Sequence, residues 1–216
     1  MYKIILIIAL AQTFLSITGT KSMQEKGFEI LFNGTNLDKW IGNKTDYVIE
    51  GKTLVLRPEN KGKGNLYTSK EYGDFELRFE FKLTDGANNG IGIRTPAEGD
   101  AAYVGMEIQV LDDNAEKWKD LKDYQYHGSV YGVIPAKRGH LKSNGSWNEE
   151  RIIAKGNRIT VILNGTTILD GDIAKASENG TVDHREHPGL KNKKGHIGLL
   201  GHDTPLEFRN IRVKEL

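Results

Sequence analysis

The chain has 216 residues, 30 basic and 29 acidic side chains, a formal net charge of +1 and 38% apolar residues. That length and apolar content suit a single domain with a full core, and the balanced charge gives no field with which to grip nucleic-acid phosphates. The absence of cysteine excludes both a disulfide framework and a lipid anchor attached through an N-terminal cysteine.

Lys3 is followed by the apolar run Ile4–Ala11, then Phe14-Leu15 and small or polar residues to Thr20. A basic start, a short apolar stretch and a small-residue exit describe an export signal, whereas a membrane span needs about 20 apolar residues. Residues 1–20 are therefore expected to be a signal peptide cleaved between Thr18 and Met23. Residues 27–216 would form one domain in the periplasm or outside the cell, with no stable membrane anchor after cleavage.

From Phe28 onward the dominant period is two. Phe75–Leu83 alternates apolar and charged residues over nine positions, a strand with one buried face. Similar runs are Tyr47–Glu50, Thr53–Leu56, Gly90–Arg94, Tyr103–Leu111, Ser129–Ile134, Ile152–Ala154, Ile159–Leu163, Thr167–Asp170, Ile197–Leu200 and Leu206–Val213. Asn164-Gly165 between two such runs is a hairpin signal, because both residues tolerate positive φ, and Glu50-Gly51-Lys52 marks another. Asp112–Tyr124, with Ala115, Trp118 and Leu121 three apart, is the one short helix expected. Gly171–Lys194 is polar and reads as a long excursion over the surface. So many strands require an all-β sandwich of two antiparallel sheets.

Successive side chains of a strand point to opposite faces. On Tyr103–Leu111 the core set is Val104, Met106, Ile108 and Val110, leaving Tyr103, Gly105, Glu107 and Gln109 on the other face. Gly90, Gly92 and Arg94 share that outer side, as do His196, Gly198, Leu200 and His202. The apolar parity changes between Phe208 and Ile211, which predicts a bulge near Asn210 that re-aims Arg209. Tyr124, Tyr126, His127, Tyr131 and Trp147 supply aromatic faces on which a sugar could stack, while Trp40 and Trp118 read as core or loop anchors. Asp183, His184, Glu186 and His187 form a candidate metal group, and Asp112-Asp113-Asn114 could hold calcium or cap the helix.

Seven stretches, in order, resemble the 3-keto-disaccharide hydrolase family: Phe28–Gly34 with Leu37 and Trp40, Asn89–Arg94, Tyr103–Asp112, Gly128–Pro135, Gly145–Asn148, Asn157–Val161 and Phe208–Ile211. The resemblance implies a concanavalin-like jelly roll that takes a carbohydrate substrate, a glycoside already oxidised to a ketone at C3. A ketone there acidifies the C2 hydrogen, so such a site needs one base, donors for an enolate oxygen and help for the leaving group. On that basis Glu107 or His202 is the expected base, Arg94 the anchor for the oxyanion and Gln109 a positioner. Tyr103, His127, Tyr131, Trp147 and Arg209 would bind substrate, and a divalent ion could replace or assist the arginine. Two alternatives stay open. Glu107–Asp112 is similar to the catalytic strand of family-16 glycosidases, with Gln109 replacing its middle aspartate, and the same fold serves non-catalytic lectin-like modules.

Overall fold

A computed structural model describes residues 25–216; the apolar run assigned to a signal peptide lies outside the described residues. The strands are β1 (Glu29–Phe32), β2 (Trp40–Gly42), β3 (Tyr47–Glu50), β4 (Thr53–Leu56), β5 (Leu66–Thr68), β6 (Phe75–Leu83), β7 (Asn88–Thr95), β8 (Met106–Leu111), β9 (Trp147–Lys155), β10 (Arg158–Leu163), β11 (Thr166–Asp172), β12 (His196–Gly201) and β13 (Leu206–Glu215). They pair antiparallel in two sheets. The larger runs β11-β10-β9-β6-β13-β4-β3, with β1 also on β13, and the smaller runs β2-β5-β12-β7-β8.

Alternation is what joins the sheets. Phe75, Leu77, Phe79, Phe81 and Leu83 of β6 meet Ile91, Ile93, Met106, Ile108, Val110, Ile197 and Leu199 of the smaller sheet in one core. Fully burying each such side chain contributes roughly 1.5–3 kcal/mol. The expected all-β sandwich of two antiparallel sheets is therefore the observed one. Asn164 and Gly165 both have positive φ, 49° and 84°, as do Gly51 and Lys52, 52° and 69°, which matches the twist that two-residue hairpins require. The register of β13 against β6 shifts between Arg209 and Arg212, with Asn210 at φ 53°, where the change of parity predicts a bulge.

Three elements differ from expectation. Ala101–Val104 is a helical turn (α1), and β8 begins only at Met106, because Asp100 caps the turn through Ala102 N–H and the pairing of β8 with β7 ends at Ile93 opposite Met106. Ser129–Ile134 is a turn held by isolated bridges from Val130 to Ile108 and Ile134. In place of a helix over 112–124 there are two 3₁₀ turns, Glu116–Trp118 and Asp123–Gln125. A second helical turn, Ile173–Ala176 (α2), follows Asp172, whose carboxylate accepts from Ala174 and Lys175 N–H.

Candidate active site

The outer face of the smaller sheet carries the polar residues that alternation predicts. In β8, Glu107 and Gln109 point away from the core, with Gly92 and Gly90 opposite them on β7. Gly90 has a steric role: a β-carbon there would overlap the Glu107 carboxylate. Only a bare backbone lets Glu107 lie across the neighbouring strand. Gln109 donates to Asn88 Oδ1 at 2.7 Å, also on that face.

His202 follows the last residue of β12. Its backbone N–H donates to Asn89 Oδ1 at 3.3 Å, and Thr204 ties the same corner down by donating to Asn88 carbonyl oxygen at 2.9 Å. The imidazole Nε2 then lies 3.4 Å from Glu107 Oε1, with the histidine side chain half exposed and the glutamate buried. That hydrogen bond raises the His202 pKa, against the opposing effect of burial.

Loops build walls around this pair, enclosing about 390 Å³, inside the range of roughly 300–1,000 Å³ typical of small-ligand sites. Tyr103 reaches the cleft from α1, not from a strand. Tyr131 accepts from Gln125 at 3.2 Å and packs edge-on against Tyr124. Trp118, expected as an anchor, also lines the cleft while its indole N–H donates to Gly86 carbonyl oxygen at 3.2 Å. Burial pushes the phenols of Tyr103 and Tyr131 up, so both keep a proton to donate at neutral pH.

Sequence patterning gives no sign of one wall residue, Arg185. It comes from the excursion after β11, which folds back onto the cleft instead of lying idle on the surface. Asn192 fastens the end of that segment by donating to the carbonyl oxygens of Arg94 and Val104 at 2.9 and 2.8 Å. Within it, His187 Nδ1 lies 3.2 Å from Ala102 carbonyl oxygen and its Nε2 3.0 Å from Asp183 Oδ2. Burial opposes ionisation of Asp183, yet hydrogen bonds from His187, the Arg185 backbone and Thr181 hold its pKa below the usual value. The residues read as a metal group thus act as a latch, with His184 exposed. Among the described residues no group of three or more His, Asp or Glu side chains converges as a metal cage.

Four expected site residues sit elsewhere. Arg94 is buried, its guanidinium donating to Gly73 and Gly156 carbonyl oxygens and to Asp74. A bulge against β12 and φ 47° at Arg94 turn it off the outer face. His127 lies between the sheets, stacked on Phe81 at 5.3 Å, with its backbone N–H donating to Asp113 Oδ1 and its Nδ1 accepting from Leu111 N–H. Trp147 and Arg209 stack on each other at 4.0 Å, with Arg209 bonded to Glu80 of the larger sheet. Asp112 is fully engaged by Gly86 and Asn114 N–H and by Asn144.

Among known proteins, residues 27–214 match the family described as the 3-keto-alpha-glucoside-1,2-lyase-like domain. The chain belongs to that family. A 3-keto-disaccharide hydrolase of Bacteroides thetaiotaomicron is similar, at 28% identity over 228 residues covering 88% of this chain and 79% of the relative. A solved structure of a candidate glycosyl hydrolase from Parabacteroides distasonis shares 31% identity, with a TM-score of 0.74 and coverage of 88% of this chain and 99% of that one. A carbohydrate-binding module of Bacillus subtilis shares the fold at 17% identity, with a TM-score of 0.51 and coverage of 88% and 96%. Family membership agrees with the seven ordered motifs, and these neighbours agree with the jelly-roll sandwich.

Proposed function

We propose that this protein cleaves the glycosidic bond of 3-keto-glycosides or 3-keto-disaccharides, with Glu107 and His202 as the acid–base pair. The observation that carries the reading is their meeting at 3.4 Å in a cleft rimmed by Tyr103 and Tyr131. The relative named as a 3-keto-disaccharide hydrolase supports it.

The division of labour follows from the electrostatics. Glu107 stabilises protonated His202, which suits the histidine to protonate a leaving oxygen and leaves the carboxylate as the base. Glu107 takes the C2 proton, and the C–H electrons form the C2–C3 double bond as the C3 carbonyl becomes an enolate. Collapse of the enolate restores the ketone, forms the C1–C2 double bond and expels the C1 oxygen, which takes the proton of His202. Water then adds across C1–C2, its hydroxyl to C1 and a proton to C2. Gln109, held by Asn88, positions the sugar. The protein acts after export, a reading supported by the apolar run near the N-terminus.

Double displacement needs two carboxylates flanking the bond. Asp112, the candidate partner from the family-16 likeness, is tied up outside the cleft. The test is to offer purified protein a disaccharide, its 3-keto derivative and the borohydride-reduced keto derivative. Cleavage of the keto form alone is expected. Turnover of the unoxidised sugar, or saturable binding of all three without turnover, would overturn the proposal.

A further inference from the structure

Nine arginines stand in the sequence, all among the described residues. Eight have a carboxylate oxygen within 4.0 Å: Arg57, Arg78, Arg94, Arg138, Arg151, Arg158, Arg209 and Arg212. Arg185 is the exception among the described residues, and it is the one that lines the cleft. A guanidinium left without a counter-ion beside a proposed proton-abstraction site has its charge available for a ligand.

Arg185 is also held in place. Its guanidinium stacks on the Tyr103 ring, 4.1 Å from the centroid, and donates to the Tyr103 hydroxyl oxygen. Its backbone is clamped on both sides, the N–H donating to Asp183 Oδ1 at 3.1 Å and the carbonyl accepting from Thr181 at 2.7 Å. Tyr103 accepts from Arg185, so its own O–H remains to donate into the cleft. A cation and a phenol coupled in this way form a preorganised donor pair for developing negative charge.

We infer that Arg185 and Tyr103 together stabilise the negative oxygen that forms at C3 when the C2 proton of a 3-keto sugar is removed. This rests on the keto-glycoside reading of the cleft. In the step concerned, Glu107 takes the C2 proton, the C–H electron pair becomes the C2–C3 double bond, and the carbonyl electrons move to O3. Arg185 and Tyr103 donate hydrogen bonds to O3, and the charge returns to the ketone when the C1 oxygen leaves.

The test separates enolisation from cleavage. A 1,5-anhydro-3-keto sugar has no leaving group at C1, so NMR of C2 hydrogen exchange in D₂O reads proton abstraction alone. With the 3-keto-disaccharide, Arg185→Ala is expected to lower kcat by about 10²–10³-fold with KM changed far less. It should slow C2 exchange in parallel and regain part of both rates on addition of guanidinium chloride at millimolar levels. Arg185→Lys should fall between, and Tyr103→Phe should lose rate while keeping the stacked ring. Normal C2 exchange in Arg185→Ala, or a loss confined to KM, overturns the assignment. An inactive wild type on the keto sugar overturns both this inference and the function it rests on, whereas an active wild type with unaffected variants overturns this inference alone.

Discussion

Two glutamate–histidine pairs stand in this molecule, one on the outer face of the smaller sheet and one between the sheets. Glu107 and His202 lie 3.4 Å apart with the histidine half exposed. His127 Nε2 and Glu150 Oε2 lie closer, at 2.9 Å, both buried, yet at angles that make no hydrogen bond, and neither Glu150 oxygen finds a partner among the described residues. Burial strengthens the attraction between the second pair but removes the water that would solvate it, and the desolvation cost commonly exceeds the gain. The residue types and the separation are nearly the same. Access to a ligand makes the first pair useful for proton transfer, and its absence makes the second a burden on stability.

The largest expected effect is on the outer pair. Glu107→Gln should lower kcat/KM on a 3-keto-disaccharide by about 10²–10⁴-fold with only a small fall in its urea midpoint; an equal kinetic loss in Glu150→Gln would erase the contrast. Next, Glu150→Ala should cost about 3–5 kcal/mol in urea unfolding, because one partner of a buried pair is removed, while kcat per folded molecule stays within about twofold. Full stability in that variant would show that the interior pair contributes nothing to the fold. Gly90→Ala sharpens the outer side without removing a polar atom: its methyl group displaces the Glu107 carboxylate, and a misplacement of about 1 Å is worth up to ~10²-fold in rate, seen in kcat with little change in the far-ultraviolet spectrum.

The smallest effect is a titration. His202 has a raised pKa in the folded state, so its bond to Glu107 stabilises the protein fully below about pH 6.5, the unperturbed histidine value, and that contribution is lost as pH rises through the raised value. NMR titration should show the His202 ring returning toward its ordinary pKa in Glu107→Gln. An unchanged curve would mean that the two side chains do not interact in solution.

Alternation made the sheets and the Glu107–Gln109 face legible, since each strand with a buried side writes its parity into the sequence. It failed at Arg94 because one bulge with a positive φ reverses parity for everything beyond it, and no residue type there announces the bulge. Tyr103 reaches the cleft as expected, but from a helical turn. His127 is expected among the aromatic faces of the rim, and residue type alone does not show that its ring turns inward onto Phe81. Glu150 shares the inward parity of Ile152 on β9, which begins earlier than the run Ile152–Ala154 suggests, and nothing local shows that His127 arrives to meet it. Arg185 depends on a fold-back of the 171–194 segment, a long-range event. Its one local trace, Asp183 and His187 four apart, reads equally well as a metal pair.

The small cluster of Tyr67, Ala101 and Leu200 packs apart from the main core. Tyr67 lies against Gly198, where a β-carbon would stand 2.8 Å from its ring. On one side of the 97–103 segment lies the cleft of Glu107; on the other is a separate hollow of about 340 Å³ lined by Ile41, Tyr67 and Gly99. The sheet therefore carries two hollows beside the 97–103 segment. One short turn thus serves both, Ala101 packing on Tyr67 and Leu200 while Tyr103 lines the cleft, so that loosening the small cluster would move a wall of the cleft.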